Sequence, residues 1–164
     1  MKVIIAEKPS VAQQIAAVVG ATTRREGYIE GGGYAVTWAF GHLVGPAMPE
    51  AYGIEGFKRE NLPILPETFI LEPRRVKSGK EYKPDPGAVK QLAVLKELFS
   101  RAERIVVATD AGREGELIFR FIYHYLDCKT PFERLWISSL TERAIREGLS
   151  LIHISEPTRP ISIS

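Results

Sequence analysis

Cysteine is nearly absent from this sequence: Cys128 stands alone among 164 residues. That excludes an internal disulfide framework and a cysteine-ligated zinc site, and suits a reducing compartment. The single thiol reads as a partly buried residue near a helix end. Long apolar runs are missing as well. Val3 to Ala6 is too short for the hydrophobic region of a signal peptide, and no later run approaches membrane-spanning length. A strong charge imbalance is also lacking, since 22 Lys and Arg against 20 Asp and Glu leave a formal net charge of +2. Such a balance by itself announces no polyanionic partner, which is recognised by clustered charge and not by a sum. Neither a P-loop nor a strand-GxGxxG-helix fingerprint occurs, so nucleotide binding has little support. What is present, 45% hydrophobic and 26% charged residues, is ordinary for one soluble domain with its own core, expected in the cytoplasm and without a membrane.

Along the chain, Lys2 to Ala6 is a β-branched strand, and Ser10 with Gln13 forms a capping-box pattern before a helix that turns Val11, Ile15, Val18 and Val19 inward. Gly20 is placed to end that helix. Tyr28 to Glu30 and Tyr34 to Ala39 flank three glycines as the arms of a hairpin. The Pro- and Gly-rich stretch from Phe40 to Pro86 predicts excursion loops with short strands, one at 68–72. Helical spacing returns with Val89, Leu92, Leu95, Leu98 and Phe99, followed by a buried strand from Arg104 to Thr109. A further helix opens within DAGREGELIFRFIYHYLD, its apolar face read as Leu117, Ile118, Phe121, Ile122 and Tyr125. Leu135 to Ser138 is read as a third strand, and Ser139 with Glu142 as another capping box. Strands alternating with helices predict an α/β domain, Rossmann-like, with a mostly parallel sheet and helices on both faces.

In such a sheet, ligands gather beyond the carboxyl ends of the strands. Here the residues just past the strands are acidic: Glu7, Asp110, and Glu114 about one helical turn further on. Taken singly, Glu7 and Lys8 read as a solvated ion pair, Asp110 as a helix cap, and Glu114 and Glu116 as acids at a positive helix end. Taken together at neighbouring strand ends, Glu7, Asp110 and Glu114 repel one another unless a proton or a cation sits among them. Hard oxygen ligands suit magnesium, which makes these three the candidate metal ligands. Lys8, Arg113 and the helix start at Gly112 add positive potential where a phosphate would lie. Gly112 and Gly115 are expected to allow close backbone approach at the strand-to-helix turn.

The strings EKPS and ATDAGREGELIFR, with AFGHLVGP and WISSLTERAI, resemble the TOPRIM domain of type IA DNA topoisomerases of the topoisomerase III kind. The resemblance covers Met1 to about Gly148. It implies that Glu7 handles the leaving 3′ oxygen, that Asp110 and Glu114 hold Mg2+, and that Lys8 and Arg113 contact the scissile phosphate or nearby backbone. It also implies single-stranded DNA as a partner, together with the remaining domains of a parent enzyme that cleaves, passes and reseals one strand through a 5′-phosphotyrosine. No tyrosine of this chain stands in the nucleophile's context, and Tyr125 reads as a core residue. The isolated domain is therefore expected to be inactive. Many TOPRIM domains carry a second aspartate where Gly112 stands, so a single magnesium is favoured over two. Glu116 is either a substitute ligand or an ion-pair partner of a Lys or Arg. His42 either supports the site and the DNA path or is a satisfied loop histidine.

Leu149 to Pro160 reads LSLIHISEPTRP and resembles the conceptual translation of a sequencing-library adapter. The expected division is therefore a TOPRIM domain at 1–148 and a non-native tail at 149–164, with a natural Ser/Pro-containing tail as the alternative. Loss of native elements after Gly148 predicts an uncovered apolar face and aggregation. Two other functional readings share the acidic pattern: a primase or nuclease TOPRIM domain, and a non-catalytic DNA-binding α/β domain.

Overall fold

The computed structural model describes residues 1–152, and most of the stretch expected to be foreign lies outside them. The first strand, β1 (Lys2–Ala6), is fully buried from Val3 onward and becomes the middle of the sheet. Helix α1 (Pro9–Val19) follows without the expected capping box. Lys8 occupies the cap position with no side-chain bond, and Pro9 fills the first turn, where its missing N–H leaves nothing unpaired. Gly20 closes the helix in the left-handed region, φ 77°, donating to the Ala16 carbonyl. Strands β2 (Thr23–Arg25), β3 (Tyr28–Gly31) and β4 (Tyr34–Trp38) form an antiparallel meander whose last member runs parallel to β1. The hairpin matches the expectation; β2 was not expected.

The excursion contains β5 (Val44–Pro46), two short 3-10 turns, and β6 (Leu71–Pro73), which pairs antiparallel with β5. The strand expected at 68–72 thus lies nearer its C-terminal end. A hairpin of β7 (Arg75–Ser78) and β8 (Glu81–Pro84) leads to α2 (Pro86–Arg101), capped by the Asp85 carboxylate accepting from the Gly87 N–H. Val89 faces solvent, while Ala88 and Gln91 take inward positions. Gln91 is buried because its amide donates to the carbonyls of Gly27 and Trp38 and to the Thr37 hydroxyl, tying α2 to the hairpin. Strand β9 (Arg104–Ala108), helix α3 (Arg113–Tyr125), strand β10 (Phe132–Arg134) and helix α4 (Glu142–Leu151) complete the described chain.

The sheet order is β10-β9-β1-β4-β3-β2, with the first four strands mutually parallel. Alternation along each strand sends Val3, Ile5, Ile105 and Val107 to the side covered by α2 and α3. Ile4, Ala6, Val106 and Ala108 go to the side covered by α1 and α4. The expected α/β fold with helices on both faces is therefore the observed one. Among the described residues no helix is long and apolar enough to cross a membrane.

Three sequence expectations are corrected by packing. The buried stripe of α3 is Ile118, Phe119, Ile122 and Tyr123, whereas Leu117 and Tyr125 are each 38% exposed. Tyr123 replaces Tyr125 in the core: its hydroxyl donates to the Thr130 carbonyl at 2.9 Å, and burial pushes its pKa up to about 12. Both stripes obey helical periodicity, and the Phe132 edge against Phe119 and Tyr123 selects between them. The edge strand is 132–134 and not Leu135 to Ser138, because the chain leaves the sheet once the Leu135 N–H has bonded Val107. Thr141, not Ser139, caps α4 by accepting from the Ala144 N–H at 3.2 Å.

Cys128 lies partly buried just past α3, as expected. Leu149 and Ile152, inside the stretch read as foreign, pack onto the α1 side of the core. Exposed apolar side chains include Phe57, Leu62, Leu65 and Phe69 in the excursion, and also Leu140 and Leu151 beside and within α4.

Candidate functional site

The in-register pairing of Ala6 with Ala108 brings the carboxyl ends of β1 and β9 side by side. Glu7 and Asp110 follow those ends, and a Glu7 carboxylate oxygen accepts the Asp110 backbone N–H at 3.0 Å. The neighbourhood on which the acidic reading depended is therefore present. Both residues line a cleft of about 370 Å³ together with Lys8, Gly41 and Ser138.

The turn after β9 is built tightly. The Thr109 hydroxyl, buried, donates to the Gly115 carbonyl at 2.9 Å, and Arg134 donates to the Thr109 carbonyl at 2.9 Å. A Cβ on Gly115 would stand 2.1 Å from the Asp110 carbonyl oxygen, so only glycine fits there. Gly112 is different. It is the N-cap of α3 with φ −82°, and a Cβ on it would meet nothing within 4 Å. The expectation that both glycines serve close approach holds for Gly115 alone.

Glu114 is mostly exposed on the first turn of α3, where its carboxylate contacts His42 Nε2 from the loop before β5. His42 thus touches a candidate site residue, a contact that sequence separation hides. Glu7 and Asp110 are brought together, while Glu114 is held toward His42. Among the described residues, no three His, Cys, Asp or Glu side chains already form a metal cage.

Lys8 and Arg113 flank different spaces. Lys8 lines the acidic cleft, whereas Arg113 lines an adjacent cleft of about 430 Å³ with Glu116, Arg120, Arg134 and Trp136. Glu116 is an ion-pair partner: one oxygen accepts from Arg120 Nε at 2.7 Å, and the other contacts Arg134. Arg134 had no role in the sequence reading, although it bonds the turn that carries Asp110. The signal was alternation: Phe132, Arg134 and Trp136 share one side of an extended chain.

Burial raises the Glu116 carboxyl pKa, but the hydrogen bonds and charges of Arg120 and Arg134 outweigh it and hold the group below its ordinary value. A carboxyl whose folded-state pKa is depressed stabilises the fold above its unfolded value, and that stability is lost as pH falls through the folded value. Glu116→Gln is therefore expected to flatten the acid limb of stability below the ordinary carboxylate range. Urea denaturation across that range checks this, and an unchanged limb would show that the pair contributes nothing.

A family model described as the Toprim domain matches residues 2–140. DNA topoisomerase 3 of Shouchella clausii is 45% identical over 151 residues, covering 90% of this chain and 19% of that protein. DNA topoisomerase 3 of Bacillus subtilis is 46% identical over 148 residues, covering 89% of this chain and 19% of that protein. Full-length topoisomerase I from Thermotoga maritima is structurally similar with a TM-score of 0.50 and 25% identity, over 90% of this chain and 20% of that one. The chain thus spans about a fifth of the length of the proteins it resembles. With the family match running from β1 through β10 and the acidic residues seated at the ends of β1 and β9, this chain belongs to the Toprim family.

Proposed function

We propose that this chain is the magnesium-binding Toprim domain of a type IA DNA topoisomerase, with residues 1–148 forming the domain and 149–164 a non-native tail. The observation that carries the reading is the seating of Glu7 and Asp110 at adjoining ends of parallel strands. Similarity to proteins named DNA topoisomerase 3 over nearly the whole chain favours this reading over a primase or nuclease domain.

The donor set fits a hard cation. Glu7 and Asp110 offer carboxylate oxygens to one cleft, and exposed Glu114 stands one turn into α3. Asp110 and Glu114 would hold Mg2+ with Glu7 near it, and the ion when bound would supply positive charge to a phosphodiester oxygen. Lys8 beside the acidic cleft and Arg113 at the start of α3 would contact the DNA backbone. Glu7 would deliver a proton to the 3′ oxygen as the phosphorus–oxygen bond breaks and a tyrosine oxygen of another domain bonds to phosphorus. The chain supplies the acidic half of that chemistry and by itself should not cleave DNA. The exposed apolar residues Phe57, Leu62, Leu65 and Phe69 suit a surface covered by the rest of the parent enzyme.

Magnesium calorimetry tests the site. The unaltered chain should bind. Asp110→Asn and Glu114→Gln should each weaken binding by at least roughly the 10- to 100-fold that losing even a ligand-orienting partner costs, with melting unchanged. No binding by the folded, unaltered chain would falsify a preformed magnesium site. Gly112→Asp, at a position with room for a side chain, should tighten binding by adding a carboxylate.

A further inference from the structure

The cleft beside the acidic one carries an aromatic side chain that the proposed magnesium site does not use. Trp136 is 69% exposed, although an indole of that size gains much from burial. The Arg134 guanidinium lies 5.7 Å from its ring centre, and Arg134 is itself only 10% exposed, held by Glu116 and the Thr109 carbonyl. One face of the indole therefore rests on a fixed cation while most of the ring meets solvent. Arg113, the first residue of the 13-residue helix α3, lines the same cleft. Three arginines there face the single carboxylate of Glu116, because the buried Glu133 is paired with Arg104. An exposed aromatic face backed by a cation, with surplus positive charge beside it, matches the chemistry of a nucleobase and its phosphate.

We propose that Trp136 is a stacking platform for one unpaired base of single-stranded DNA, with Arg113 taking the adjoining phosphate. The inference rests on the DNA-binding reading above and adds a base-stacking subsite to it. An unpaired strand is required because bases inside a duplex already stack on their neighbours and present no free face.

The test is fluorescence anisotropy with a labelled oligothymidine strand and an abasic strand of equal length, using the whole chain. Trp136→Ala should weaken binding of oligothymidine by roughly 5- to 100-fold, the range for losing one stacked base, with little change for the abasic strand. Trp136→Phe should restore most of the loss. Arg113→Gln should weaken both strands and reduce the salt slope by about 0.7, the value for one phosphate contact on single-stranded DNA. Equal melting temperatures of all variants show that folding is not the cause. Oligothymidine binding by Trp136→Ala equal to that of the unaltered chain overturns the subsite and leaves the DNA-binding reading standing, as does an equal loss on the abasic strand. If the unaltered chain binds neither strand, both readings fall.

Discussion

Gly115→Ala is expected to destabilise the domain by roughly 1–3 kcal/mol or somewhat more, as overpacking at a rigid contact does. The sign is the informative part. In an ordinary helix interior the same exchange stabilises by about 0.5–1 kcal/mol, because glycine loses more backbone entropy on folding. Here the added methyl would stand 2.1 Å from the Asp110 carbonyl oxygen and 2.8 Å from its nitrogen, and backbone atoms cannot rotate aside. The start of α3 or the Asp110 turn must move. The Thr109–Gly115 bond and the Arg134 contact to Thr109 then suffer with it. Magnesium binding should fall together with the melting temperature, by about 2–4 °C per kcal/mol for a domain of this size. Gly112→Ser supplies the contrast: serine is a favoured N-cap and the site is open, so stability should hold or rise slightly. Equal stability of Gly115→Ala and the unaltered chain would mean that the turn is not the rigid seat of Asp110 described here.

Arg104→Met is expected to cost about 3–5 kcal/mol, because it leaves a buried carboxylate without its cation. Glu133 is 3% exposed on the edge strand β10; one oxygen contacts Arg104, and the other has no hydrogen-bond partner. Arg104 is about a third exposed, so the loss comes mainly from the stranded partner and not from the arginine's own packing. The double variant Arg104→Met/Glu133→Leu should recover most of the stability, since replacing both members of a buried pair by apolar groups is often neutral or better. Chemical denaturation of the single and double variants measures this. A double variant no more stable than the single one would assign the loss to shape and not to charge.

Local chemistry makes much of the architecture legible in the sequence. The β-branched run at Val3 to Ile5, the glycine stop at Gly20 and the glycine turn before Tyr34 each carry a short-range steric reason for their conformation. The two excluded capping boxes show the limit of the same logic. Ser10 and Ser139 had suitable neighbours, but Pro9 and Thr141 set the helix starts by their own geometry one or two residues away. Likewise the choice between the Leu117–Tyr125 stripe and the Phe119–Tyr123 stripe depended on where Phe132 lies, which no local window contains.

The sequence by itself determined the alternation of strands and helices, the acidic character of the strand ends and the family likeness, because each is written in residues near one another along the chain. Only the tertiary structure decided that β1 and β9 are neighbours, that Glu7 bonds the Asp110 backbone, and that Glu114 turns to His42. It alone also seated Arg134 between Glu116, Thr109 and Trp136. These contacts join residues up to 103 positions apart, and local propensity carries no information about them. Strand order and helix rotation do, because they follow from burying two apolar faces of one sheet at once.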